Sequence, residues 1–144
     1  MFAIRAVAAL LPLVLILLVL LTSPALPQSS TQRIYDKYGS HSGQVQKDAK
    51  GNTRVYDSHG NYTGKTQTGS TGGARVYDSQ GNYAGRTSSD GRTYDSHGNY
   101  TGRSERDSSG GVKLYDAHGN YLGRTDKDGR QYDSRGNFSG HVRK

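Results

Sequence analysis

Basic and phenolic side chains recur at fixed offsets along this chain. Arg33, Arg54, Arg75, Arg92, Lys113 and Arg130 each stand two places before a Tyr-Asp dipeptide. Lys65, Arg86, Arg103 and Arg124 each stand three places after a second tyrosine, Tyr62, Tyr83, Tyr100 or Tyr121. Guanidinium and ammonium groups pair with phosphate or carboxylate, and phenol rings stack on sugars or bases. The candidate ligand-binding residues are therefore Arg54, Arg75, Arg92, Arg130, Lys65, Arg86, Arg103 and Arg124, with Tyr62, Tyr83, Tyr100 and Tyr121. If these columns bind a ligand, it is expected to be an anionic envelope glycan or lipopolysaccharide; nucleic acid is not expected. A simpler account of the same columns is that arginine stems cover tyrosine faces and pair with neighbouring aspartates, keeping a glycine-rich sheet in solution.

Other groups offer less. Asp36, Asp57, Asp78, Asp95, Asp116 and Asp133 each follow the first tyrosine of a unit. A ring of calcium-binding carboxylates is conceivable, yet Asp is also the residue that caps such a turn by accepting hydrogen bonds from the following amides, and the structural role is expected. Asp126-Lys127-Asp128-Gly129 is similar to the start of a calcium loop but lacks the distal Glu, so a linker turn is expected. His59, His97 and His118 share one turn position with Gln80 and Arg135, an exchange that argues for exposed tips rather than a zinc site. The chain has no cysteine and its only glutamate is Glu105. No nucleophile pattern is present, so neither catalytic residues nor a metal or cofactor is expected, and the chain is read as a non-enzyme. Asn61-Tyr62-Thr63, Asn99-Tyr100-Thr101 and Asn137-Phe138-Ser139 fit the N-glycosylation pattern, which has no consequence in a bacterial protein.

The elements that must hold these columns are set by an internal repeat. Tyr-Asp recurs at 35, 56, 77, 94, 115 and 132, with spacings of 21, 21, 17, 21 and 17 residues. The units lie near 33–46, 54–66, 75–87, 92–104, 113–125 and 130–142. Each reads as a β-hairpin, because Asp-Ser-x-Gly-Asn suits a type I turn followed by a glycine in the left-handed region. With Ser79-Gln80-Gly81 as the loop, Asp78 should face Asn82, Tyr77 face Tyr83, Val76 face Ala84 and Arg75 face Gly85. The same pairing predicts Tyr56/Tyr62, Tyr94/Tyr100, Tyr115/Tyr121 and Tyr132/Phe138, and it places the aromatic face toward the core. Between residues 31 and 144, Leu, Ile, Val and Phe together number only nine, which excludes a conventional enzyme core. No single hairpin can stand on so little. The fold class is thus all-β, six tandem hairpins stacked or closed about an axis, with the irregular first unit acting as a cap or completing a ring with the C-terminal strand.

The Asp-Gly-Arg-x-Tyr-Asp-x-x-Gly-Asn-x-x-Gly-Arg rhythm of Asp90–Arg103 and Asp128–Gly140 resembles the bacterial beta-flower proteins. That resemblance implies a small secreted chain of Gly-rich hairpins about an axis, with no assigned activity. The Tyr-Asp-x-x-Gly kernel is similar, more distantly, to the YD repeats of Rhs-type proteins, from which the chain departs in carrying Asn after the turn glycine and in its shortness.

Ahead of the repeats, Met1–Arg5 carries one positive charge, Ala6–Leu21 is apolar throughout, and Thr22-Ser23-Pro24-Ala25 ends the segment with small residues. This is the layout of a secretory signal peptide at residues 1–25, cleaved after Ala25, with 26–32 as a linker and 33–144 as the repeat domain. The alternative is a membrane anchor formed by residues 6–21, the only case in which a membrane would be a partner. Either way the repeats are expected to be secreted or periplasmic. Beyond residue 25 the chain holds 18 basic and 12 acidic residues, 18 − 12 = +6. A binding or scaffold module of the bacterial envelope fits this balance; the alternative is a structural protein that assembles with itself through strand edges.

Overall fold

The computed structural model describes residues 29–143, which form twelve strands. These are β1 (Ser30–Asp36), β2 (His41–Lys47), β3 (Thr53–Asp57), β4 (Tyr62–Thr68), β5 (Ala74–Asp78), β6 (Tyr83–Thr87), β7 (Arg92–Asp95), β8 (Tyr100–Arg106), β9 (Val112–Asp116), β10 (Tyr121–Thr125), β11 (Arg130–Asp133) and β12 (Phe138–Arg143). Each strand pairs antiparallel with its sequence neighbours, and β1 pairs with β12, so the sheet is a closed barrel. The first hairpin does complete a ring with the last strand. Closure also removes the edges through which a self-assembling protein would stack, since every described strand already has two partners. The segments read as signal peptide and anchor lie outside the described residues. β1 begins at Ser30, inside the stretch read as linker.

Turn chemistry repeats at both ends of the barrel. In the third hairpin the Gly81 amide donates to the Asp78 carbonyl and the Asp78 amide to the Asn82 carbonyl, closing a type I turn that glycine finishes at φ +86°. The Asp78 carboxylate caps it: Oδ1 accepts from the Gln80 and Asn82 amides and Oδ2 from the Asn82 side chain. The connections at the other end, such as Asp48–Asn52 and Asp126–Arg130, close by the same pair of backbone bonds, with Asp48 and Asp126 as caps. Asp126 is thus a turn residue, as expected from its sequence context.

Beyond the tyrosine pair the register differs from the simple hairpin. Tyr77 faces Tyr83 as expected, but Val76 faces Gly85 and Arg75 faces Arg86, because Ala84 is an extra, bulged residue. The bulge recurs at the equivalent place in the other hairpins. It turns the glycine away from the tyrosine face and onto the opposite one.

That opposite face is the core, which corrects the expectation of an aromatic interior. Ile34, Val45, Val55, Val76 and Val142 form one buried cluster with Ala84 packed on it, and Val112 and Leu114 form a second with Leu122. Thr53, Thr66, Thr87, Thr125 and Gln131 are also buried, and the Thr53 and Thr66 hydroxyls bond to each other at 2.6 Å. The tyrosines of the pairs are half-buried or exposed on the outside. The physical reason is volume and polarity. A small barrel is filled by short side chains, and a dozen enclosed rings would also bury hydroxyls that need partners. On the outer wall the rings of each pair pack edge to face.

Candidate functional site

The columns seen in sequence become rows in space. Following partners across the sheet, Arg54 faces Lys65, Lys65 faces Tyr77, and Tyr77 faces Tyr83. The next row reads Arg75, Arg86, Tyr94, Tyr100. The third reads Arg92, Arg103, Tyr115, Tyr121, and the fourth Lys113, Arg124, Tyr132, Phe138. Each row crosses four strands, about 14 Å, in the order cation, cation, ring, ring. Near the closure the pattern is altered. One row is Arg130, His141, Tyr35, His41, and the last is Arg33, Gln44, Tyr56, Tyr62.

Inside a row the second cation is held by the first ring. The Arg86 guanidinium carbon lies 4.4 Å from the Tyr94 ring centre, Arg103 4.7 Å from Tyr115, Arg124 4.8 Å from Tyr132, and the Lys65 ammonium 5.2 Å from Tyr77. The two rings of a row meet edge to face, with centroids 6.1 Å apart for Tyr77 and Tyr83 and 5.9 Å for Tyr94 and Tyr100. At the closure His141 stacks on Tyr35 at 4.9 Å, and the Arg143 guanidinium carbon lies 5.9 Å from the same ring centre. Cationic head groups thus lie over tyrosine faces, and the pairing with aspartate that the simpler sequence account adds occurs at Arg92 with Asp90.

Neutralisation by acid is uneven among the rows. Arg92 lies 3.4 Å from Asp90, and Arg103 Nε donates to Glu105 at 2.6 Å. That bond, followed by a hydrogen bond with the Tyr100 hydroxyl, holds the Arg103 guanidinium above its ordinary value. Glu105 also faces Lys113 across the β8–β9 pair. In the Arg54 and Arg75 rows every residue facing a cation is neutral or another cation: Gln46 and Lys65 face Arg54, and Gln67 and Arg86 face Arg75. Tyr62 and Tyr83 differ in setting, since burial pushes the Tyr62 phenol up from its ordinary value while Tyr83 is 40% exposed. Tyr100 is 37% exposed at the far end of the Arg75 row.

No family model and no curated protein matches the chain.

All twelve sequence-selected residues lie on the outer wall, and the fold brings Arg54 to Lys65, Arg75 to Arg86 and Arg92 to Arg103. The selection missed Tyr77, Tyr94, Tyr115 and Tyr132, the rings under the second cations. The signal was the offset between the hairpins: Lys65 to Tyr77 is the same 12-residue step as Arg103 to Tyr115. Tyr62 and Tyr121 end their rows as half-buried rings, and Arg130 faces His141 rather than another arginine. His59, His97 and His118 sit exposed at the tips of separate turns, and among the described residues no three His, Cys, Asp or Glu side chains converge on a metal position. The turn carboxylates are consumed by capping: the Asn side-chain amide, followed by backbone amides, holds Asp57, Asp78, Asp95, Asp116 and Asp133 below the ordinary carboxylate value.

Proposed function

We propose that this chain is an exported, non-catalytic binding module of the bacterial envelope, and that its outer wall holds an anionic glycan or lipopolysaccharide. One observation carries the reading: cations face cations across the hairpins, with exposed rings beside them and no carboxylate within the rows. Like charges placed directly opposite each other are unfavourable, and an external anion relieves them. Sugar rings suit the tyrosines, whose faces are apolar and whose hydroxyls donate. Export rests on the charged, apolar and small-residue succession of residues 1–25. The resemblance to beta-flower proteins agrees with a small secreted repeat chain.

Retention on immobilised lipopolysaccharide and on an anionic polysaccharide tests the proposal. Strong retention at low salt that is lost at high salt supports it, since charges on an exposed wall are screened beyond about 10 Å at 0.1 M salt. No retention at low salt ends it.

A further inference from the structure

The rows do not offer the same site, and the difference lies in where acid has been placed. The Arg54 and Arg75 rows start from neighbouring hairpins, so Arg54, Lys65, Arg75 and Arg86 form one sector of the wall. Their facing residues supply no carboxylate. In the next sector Asp90 engages Arg92, and Glu105 engages Arg103 while facing Lys113. The chain thus neutralises both cations of the Arg92 row and places Glu105 opposite Lys113, while the facing residues of the Arg54 and Arg75 rows bring no acid.

The open sector has the geometry of a two-armed anion clamp. Arg75 and Arg86 are direct cross-strand partners, about 5 Å apart at the Cα atoms, so both guanidinium groups can meet on one anionic group. A carboxylate brings one charge and two oxygens. A phosphate monoester brings close to two charges and three acceptor oxygens, enough to engage both arms. Arg86 is already oriented by Tyr94, and Tyr100 at the end of that row is exposed to carry a sugar face. Resting on the glycan-binding reading above, we infer that the sector around Arg75 and Arg86 selects sugars bearing phosphate monoesters, and that Glu105 marks where this selectivity stops.

The experiment compares binding of the protein to phosphorylated dextran, carboxymethyl dextran of matched charge density, and plain dextran, at low salt. The variants are the doubles R75Q/R86Q and R103Q/K113Q, which remove equal charge, and the single Glu105→Gln. Phosphorylated dextran should bind more tightly than carboxymethyl dextran. R75Q/R86Q should lose about tenfold or more in affinity, corresponding to the loss of two charge-assisted hydrogen bonds. R103Q/K113Q should lose less than half of that effect on a logarithmic scale, and Glu105→Gln should tighten binding, a gain that misfolding cannot produce. Unfolding midpoints of all variants check that the barrel persists. Equal losses in the two doubles overturn the focused sector while leaving the glycan reading intact, and equal affinity for the two charged dextrans overturns the phosphate preference. Failure of the unaltered protein to bind either charged dextran overturns the broader reading, and this inference with it.

Discussion

Gly85 faces Val76 across the third hairpin, on the inner side of the barrel, and a Cβ placed on it would run into the carbonyl oxygen of Tyr94 on the next strand. The obstacle is backbone, so it cannot swing aside, and the φ of +149° is itself poor for an L side chain. Gly85→Ala should therefore destabilise the barrel by about 2–4 kcal/mol, the range for a strained and overpacked site. Gly81 at the tip of the same hairpin has φ +86° but open space around it, so Gly81→Ala should cost only the left-handed strain, about 1–2 kcal/mol. Urea unfolding of both variants measures the difference, and equal costs would deny the close approach its role.

This glycine also shows what the sequence conveys and what it hides. The hairpins, their turns and the tyrosine pairs follow from local chemistry: Asp78 caps its own turn, and Tyr77 and Tyr83 fall opposite each other by counting back from Gly81. That the hairpins cover one another is legible too, because each has so few aliphatic residues; whether they stack openly or close is decided by the pairing of β1 with β12, which no local pattern announces. The bulge at Ala84 leaves no trace in composition, and it decides that Gly85 and Thr87 turn inward while Arg86 joins Tyr83 on the outer wall. A one-residue shift exchanges the faces of a strand, so simple hairpin counting misplaces these residues while leaving the fold class intact. The basic columns were visible as columns. Their assembly into rows depends on pairing between hairpins, as of Lys65 with Tyr77, and no local rule supplies that register.

Acid should weaken the protein in a definite window. Hydrogen bonds from the Asn side chain and backbone amides lower the folded-state pKa of Asp57, Asp78, Asp95, Asp116 and Asp133 below the ordinary 3.8. The stability these carboxylates contribute is fully present above the unfolded pKa and is lost as pH falls through the folded one. The urea midpoint should stay level from about pH 7 to about pH 5 on their account and fall below about pH 4. Asn82→Ala, which removes the largest contribution at Asp78, should raise that carboxyl toward its ordinary value in a carbon-detected titration. An unmoved Asp78 would show that the amide is not the cause.

Opening the ring should change solution behaviour more than any surface substitution. Deleting residues 138–144 removes β12, leaving β1 and β11 each without one partner. Two bare edges then present unpaired backbone groups that can add strands from other copies. Light scattering should report a mass that rises with concentration for the truncated chain and stays constant for the intact one. A truncated chain whose mass is also constant would show that the seam is not what suppresses association.

Arg75 and Arg86 pose a contest of signs that magnitudes settle. Facing like charges cost about 0.2–1 kcal/mol when exposed, and Arg75 has only neutral Gln67 on its other side. Arg75→Gln removes that repulsion and takes no cation from a ring, so it should stabilise the unliganded protein by about 0.5 kcal/mol at low salt. Arg86→Gln removes the same repulsion but also the contact with Tyr94 at 4.4 Å, worth about 0.5–1 kcal/mol at an exposed site, so its net effect should be near zero or unfavourable. The gain from Arg75→Gln should shrink as salt screens the pair, and added phosphate should stabilise the unaltered protein more than this variant. Thermal unfolding across a salt series, in chloride and in phosphate, reads all of these effects. If Arg75→Gln instead destabilises at low salt, the pair is held by contacts stronger than its repulsion, and the wall is a structural feature before it is a binding surface.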